Sequence, residues 1–152
     1  MTREELVYEA MQARSLSYSP YSRFAVGAAV LTKDGQLFLG SNIENASYPL
    51  SMCGERNAIY NAYCHGYTRD AIEALAIVAD TEQPVSPCGA CRQVLSELLN
   101  SDTPIYLGNL RGEILETNIE DLLPYAFDSE DLWLKVVLLQ LSAKVMSVKV
   151  LY

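Results

Sequence analysis

Residues 25–41 read "AVGAAVLTKDGQLFLGS". Two short runs of apolar and β-branched residues flank Asp34–Gly35, a pair suited to the positive-φ positions of a tight turn. The stretch predicts a β-hairpin. Upstream, Thr2 and Glu5 fit a capping box, and Leu6, Ala10 and Ala13 follow at helical spacing, predicting a helix to about residue 14. Between helix and hairpin, "YSPYSRF" (18–24) is a polar, aromatic loop fixed by Pro20. Downstream, residues 42–52 read as a loop and 53–64 as a helix stopped by Gly66. "AIEALAIVAD" (71–80) reads as a buried strand and "CGACRQVLSELLN" (88–100) as an amphipathic helix. "TPIYLGN" (103–109) and "EILETN" (113–118) are further strands, and "IEDLLP" (119–124) is a helical turn closed by Pro124. The order α, β, β, α, β, α, β, β, α predicts one α/β domain with a mixed sheet covered by helices. No repeat, low-complexity segment or linker interrupts it.

The 152 residues are half hydrophobic and one-fifth charged, which suits a globular chain with a sizeable core. The net charge of −8, with no basic stripe, argues against nucleic acid as substrate or partner. "MTREELVYEA" carries charges where a secretion signal needs an apolar run, and no uncharged apolar stretch reaches the ~18 residues of a membrane span. The expected location is cytoplasmic, where the four cysteines stay reduced.

Residues 87–93, "PCGACRQ", hold Cys88 and Cys91. Such a pair can form a disulfide, act as a redox couple or hold two corners of a metal site. On a helix the two cysteines differ by about 4.5 Å of rise and roughly 60° of rotation, so both sulfurs can reach one ion. Catalytic zinc takes three protein ligands and keeps a fourth position open. The other candidates are Cys53, Cys64 and His65, the only histidine. Cys53 and Cys64 lie ~16 Å apart along one helix, so a single ion cannot use both, and His65 shares that difficulty. Cys64 reads as a small buried side chain. Cys53 and Cys88 both fall at predicted helix starts, where free N–H groups favour a thiolate. Glu55 stands beside the first of them. C-x-E followed by P-C-x-x-C matches the zinc-deaminase signature with cysteine in the first ligand position. Three thiolates leave zinc with a net charge of −1, and Arg56 is the expected hydrogen-bond donor that draws charge from the sulfurs.

"YSPYSRFAVGAAV", "SNIENASYPLSMCGER", "SPCGACRQVLSE" and "DLLPYAF" resemble, in order, the blocks of the small homotetrameric cytidine deaminases. The resemblance spans roughly residues 5–131. It implies a three-layer α/β/α fold around a five-stranded mixed sheet, and hydrolysis of cytidine or deoxycytidine to the uridine and ammonia. It implies Zn2+ on Cys53, Cys88 and Cys91, with Glu55 shuttling protons. It further implies Phe24 against the pyrimidine, Asn42 and Glu44 on ribose hydroxyls, and Gly54 offering backbone contacts to the base. Ala46, Tyr48 and Phe127 would serve a neighbouring subunit's site. Two positions depart from the family: Gly54 stands where Ala is usual, and Tyr125 where Gly is common.

An aminonucleoside-antibiotic deaminase would share this zinc chemistry, and "NIEN" favours the simple nucleoside. A non-catalytic zinc-binding module is the alternative of another class. The catalytic domain is expected within residues 1–132. Beyond it, "WLKVVLLQLSAKVMSVKVLY" (133–152) is an apolar tail interrupted by Lys135, Lys144 and Lys149, too broken to span a membrane and read as helix followed by strand.

Overall fold

The computed structural model describes residues 1–132. The reading of residues 133–152 lies outside the described residues. The chain opens with α1 (Arg3–Ala13), on whose Thr2 cap the expected box with Glu5 closes in both directions. One 3-10 turn continues it to Leu16. The hairpin is β1 (Val26–Thr32) and β2 (Leu37–Ser41), joined through Gly35 at φ +86°. Then come α2 (Gly54–Cys64), β3 (Ile72–Ala79), α3 (Gly89–Leu98), β4 (Ile105–Asn109), β5 (Ile114–Thr117) and α4 (Ile119–Leu122). Asn118 caps α4 by accepting from Asp121 N at 2.9 Å. The order of elements is the one the sequence predicts. Short 3-10 turns at Tyr48–Leu50 and Arg69–Ala71 are additions to it.

The five strands form one mixed sheet in the order β2-β1-β3-β4-β5. β1 is antiparallel to both β2 and β3, β3 and β4 are parallel, and β5 closes antiparallel. Alternate residues of β1 and β3 face opposite ways, and two apolar clusters result. On one face Leu6 and Ala10 of α1 pack with Ala29, Leu31, Ala76 and Val78. On the other, Ala58, Ile59 and Ala62 of α2 and Leu95 of α3 pack with Ala28, Val30, Leu75 and Ile77. Burial on both faces explains why β3, after the exposed Glu73 near its start, is continuously apolar over residues 74–79 instead of alternating. The result is the three-layer α/β/α arrangement around a five-stranded mixed sheet.

This topology brings one end of the sheet to the site. β2 and β3 both run against β1, so their carboxyl ends coincide, and α2 and α3 start just beyond them. The entry into β1 lies at the same end, since Val26 pairs with Ala79 and Gly27 with Ser41. α2 can lie directly on β2 because Gly40 has no side chain: a Cβ there would fall 2.2 Å from Ala58 N. Among the described residues no helix is long and apolar enough to cross a membrane.

Candidate metal centre and adjoining cleft

Cys53 and Cys88 are the N-cap residues of α2 and α3. Each has the extended backbone of an N-cap (ψ 153° and 164°), yet neither sulfur caps its own helix. Their backbone carbonyls take the first helical bonds, from Asn57 N at 3.1 Å and Arg92 N at 3.0 Å, so both sulfurs remain available. Cys91, one turn into α3, is fully buried. The sulfurs of Cys53, Cys88 and Cys91 all lie within 4.8 Å of one another, and Cys88 and Cys91 are 3.5 Å apart. A tetrahedral zinc with bonds of about 2.3 Å holds its sulfurs roughly 3.8 Å apart, so the cluster fits that ion with little movement.

The surroundings of the thiols fit a cation as well. Cys53 is drawn down to about 5, first by the hydrogen bond from Cys91; burial opposes this, and Arg56 assists it. Cys91 is pushed up by that same bond and by burial. Three adjacent thiols cannot all ionise without a positive charge among them, and zinc supplies one. Arg56 Nη2 lies 3.5 Å from Cys53 Sγ. Its buried Nε has no hydrogen-bond partner among the described residues. Arg92 is occupied elsewhere: it donates to Pro87 O (2.9 Å), Leu122 O (2.7 Å) and Ser86 Oγ (2.7 Å), tying the loop before Cys88 to α4. Cys64 lies outside the cluster and is exposed, not buried as its residue type suggested, because it ends α2 at the surface.

Glu55 is the second residue of α2 and only 4% exposed. Burial is the main reason its carboxyl sits above the ordinary range, and the neighbouring Cys53 charge adds to it. Such a group holds or releases a proton nearer neutrality than a solvated glutamate does.

A cleft of ≈230 Å³ opens over these groups, lined by Phe24, Asn42, Glu44, Cys53, Glu55 and Cys88 among others. Six candidate residues thus meet in one cavity. A larger groove, ≈980 Å³, lies against the start of α1 and the hairpin turn and contains none of them. Asn42 is held firmly at the cleft wall. Its Oδ1 accepts from Ser17 Oγ (2.6 Å) and Val26 N (2.8 Å), and its Nδ2 donates to Phe24 O (2.8 Å). Glu44 accepts from Tyr21 N (2.9 Å), Ser22 N (3.2 Å) and the Ser22 hydroxyl. That hydroxyl first, and then the two backbone N–H groups, hold the Glu44 carboxyl below its usual range. Gly54 begins α2 against backbone: a Cβ there would meet Val26 O at 3.1 Å and Asn42 N at 3.3 Å. An alanine would therefore require small shifts of both segments.

Ala46, Tyr48 and Phe127 do not line the cleft; all three are exposed, Tyr48 at 70% and Phe127 at 55%. Phe127 O accepts from Gln93 Nε2 at 2.8 Å on the outer side of α3. The cleft also contains Ser22, Val26, Ile77, Val85 and Ser86, which the motif reading did not single out. Ser22 and Ser86 lie inside quoted motif blocks, so position within a block was the signal available. Ile77 gave none, since it reads as an ordinary core residue of β3.

Residues 1–107 match the family model described as the cytidine and deoxycytidylate deaminase zinc-binding region. A cytidine deaminase of Halalkalibacterium halodurans is 57% identical over 132 residues, covering 87% of this chain and 98% of that relative. Among solved structures, the cytidine deaminase of Burkholderia pseudomallei superposes with a TM-score of 0.82 at 46% identity, covering 84% of this chain and all of the other. That of Mycobacterium tuberculosis gives 0.70 at 38%, covering 84% and 98%.

Proposed function

The chain belongs to the cytidine and deoxycytidylate deaminase family, and from that premise we infer its reaction. It is a zinc-dependent hydrolase that converts cytidine and deoxycytidine, with water, to uridine and deoxyuridine plus ammonia. The observation that carries this reading is the meeting of a three-sulfur cluster and a buried glutamate at the floor of one cleft.

In the proposed assignment Cys53, Cys88 and Cys91 hold zinc. Zinc bound there supplies Lewis acidity, which lowers the pKa of a coordinated water toward neutrality. Glu55 accepts a proton from the attacking water, because burial has raised its affinity for one. It passes that proton to N3 of the cytosine ring, which makes C4 electrophilic. The water oxygen, freed of that proton, adds at C4. Glu55 then takes the second proton from the new C4 hydroxyl to the amino group, so that the C4–N bond breaks as the C4 carbonyl forms and ammonia leaves. Arg56 donates to the Cys53 sulfur and offsets the charge of three thiolates. Phe24 packs on the base, Asn42 and Glu44 take the ribose hydroxyls, and the backbone at Gly54 contacts the base. The well-anchored wall made by Asn42 and Glu44 supports this division.

The catalytic unit is assigned to residues 1–132, which contain every proposed site residue. The proposed assembly is a homotetramer in which Ala46, Tyr48 and Phe127 complete a neighbouring cleft. Their exposure away from the chain's own cleft supports this. A cytoplasmic location agrees with four unpaired cysteines among the described residues. The test is direct: purified chain mixed with cytidine releases ammonia and uridine one for one. Zinc bound without any ammonia would leave a zinc-binding module instead.

A further inference from the structure

The loop between α1 and β1 turns sharply at Arg23, a non-glycine residue at φ +57°. Left-handed backbone at such a residue is strained and persists only where surrounding contacts hold it. The contacts are specific. Arg23 N donates to Ser19 O at 3.0 Å, and Phe24 N donates to Ser22 Oγ at 3.0 Å across the bend. The Ser22 hydroxyl in turn donates to one oxygen of Glu44, while Tyr21 N and Ser22 N donate to the other. One serine oxygen therefore joins the backbone of Phe24 to the carboxylate of Glu44. The opposite side of the Phe24 residue is held by Asn42 Nδ2 on its carbonyl. Ser22, Phe24, Asn42 and Glu44 all line the cleft.

We infer that Ser22 is a positioning residue: its hydroxyl sets the orientation of Glu44 toward the 2′ and 3′ hydroxyls of the nucleoside's sugar, while the Asn42 bond to its carbonyl keeps Phe24 in place. The inference rests on the deaminase reading and on the ribose role assigned there to Glu44. In water a carboxylate samples many rotamers. Here both oxygens are engaged before substrate arrives, so little freedom is lost on binding. A hydrogen bond to a charged group is among the stronger kinds, and its loss should register in affinity more than in chemistry. The Ser22 hydroxyl bonds Glu44 and Phe24 N and, among the described residues, none of the three cysteines, so its replacement should leave the zinc cluster intact.

The experiment compares wild type, Ser22→Ala and Ser22→Thr for cytidine turnover, zinc content and thermal unfolding. It adds inhibition by 2′,3′-dideoxycytidine, which lacks the 2′ and 3′ hydroxyls of the sugar. Ser22→Ala should raise KM for cytidine about tenfold, change kcat less than threefold, and keep full zinc. Ser22→Thr, which retains a hydroxyl, should restore KM to within about threefold of wild type. The inhibition constant of the dideoxynucleoside should be nearly unchanged by Ser22→Ala. In a Glu44→Ala background the same substitution should add little further penalty, because its effect passes through Glu44. An unchanged KM in Ser22→Ala, or an equal penalty for both nucleosides, overturns the inference while leaving the deaminase reading intact. A wild-type chain that does not turn over cytidine overturns that reading first.

Discussion

The metal corner and the surface proposed to bind the nucleoside are built in different ways. Two helix starts gather Cys53, Cys88 and Cys91 within 4.8 Å, and Glu55 is buried beside them. Phe24, Asn42 and Glu44 form a wall fastened by loop hydrogen bonds, while Tyr48, edge-on to Tyr21, and Phe127 are exposed and outside the cleft lining. The two tasks are divided accordingly. Moving protons at a metal needs groups fixed by rigid elements, and one chain supplies all of them. Enclosing a nucleoside needs walls on several sides, and the described residues supply only some.

The contrast can be attacked first at its strongest point. Glu55→Gln keeps the fold and the three sulfurs but cannot carry a proton. We expect unchanged zinc content and a kcat lower by about 10²–10⁴-fold. Steady-state kinetics with elemental analysis checks this, and a variant retaining a tenth of wild-type kcat would refute the proton-transfer role. Phe127→Ala tests the other region. If its ring completes a neighbour's cleft, KM for cytidine rises about tenfold, equivalent to ~1.4 kcal/mol, while zinc stays bound. A KM unchanged in an assembled protein would remove Phe127 from the binding surface.

Acid titration sharpens the account of the loop wall. The Glu44 carboxyl is held below its ordinary value of 4.5, chiefly by the Ser22 hydroxyl. A carboxyl depressed on folding contributes ordering that is present above 4.5 and lost as pH falls through its lower folded value. Carboxyl-carbon NMR should therefore give Glu44 a midpoint below 4.5 in wild type, moved upward by Ser22→Ala. A wild-type midpoint at or above 4.5 would mean the clamp is not formed in solution. The smallest effect belongs to Tyr125, which sits at φ +58° just before the exposed Phe127 segment. Replacing it with glycine relieves about 1–2 kcal/mol of backbone strain and costs roughly 0.5–1 in unfolded-chain entropy. The net gain in unfolding free energy, about 0–1.5 kcal/mol, is followed by denaturant titration. A loss of stability would show that the tyrosine ring contributes packing.

The elements could be read because each has a local cause. The Thr2–Glu5 box, the Asp34–Gly35 turn and the apolar run of residues 74–79 in β3 act over a few residues. The cysteine cluster was legible from spacing together with helix starts, since a cysteine at an N-cap has its position set by the helix itself. Nothing local distinguishes Ser22, whose importance arises from a bond to Glu44 across 22 positions of chain. Nor does residue type reveal that Cys64 is exposed, which depends on where α2 leaves the core. The unusual φ at Tyr125 was half legible: a tyrosine where the family resemblance leads one to expect glycine marks the position but not the conformation.

In the proposed assignment, metal and turnover reside together in the three-sulfur corner. The decisive measurement follows zinc per chain and ammonia release from cytidine on one preparation as a chelator withdraws the metal. We predict one zinc per chain at the start, turnover that falls in proportion to zinc, and recovery of both when zinc is returned, with Cys88→Ser showing neither zinc nor turnover. Full turnover from the zinc-free chain, or from Cys88→Ser, would contradict the account.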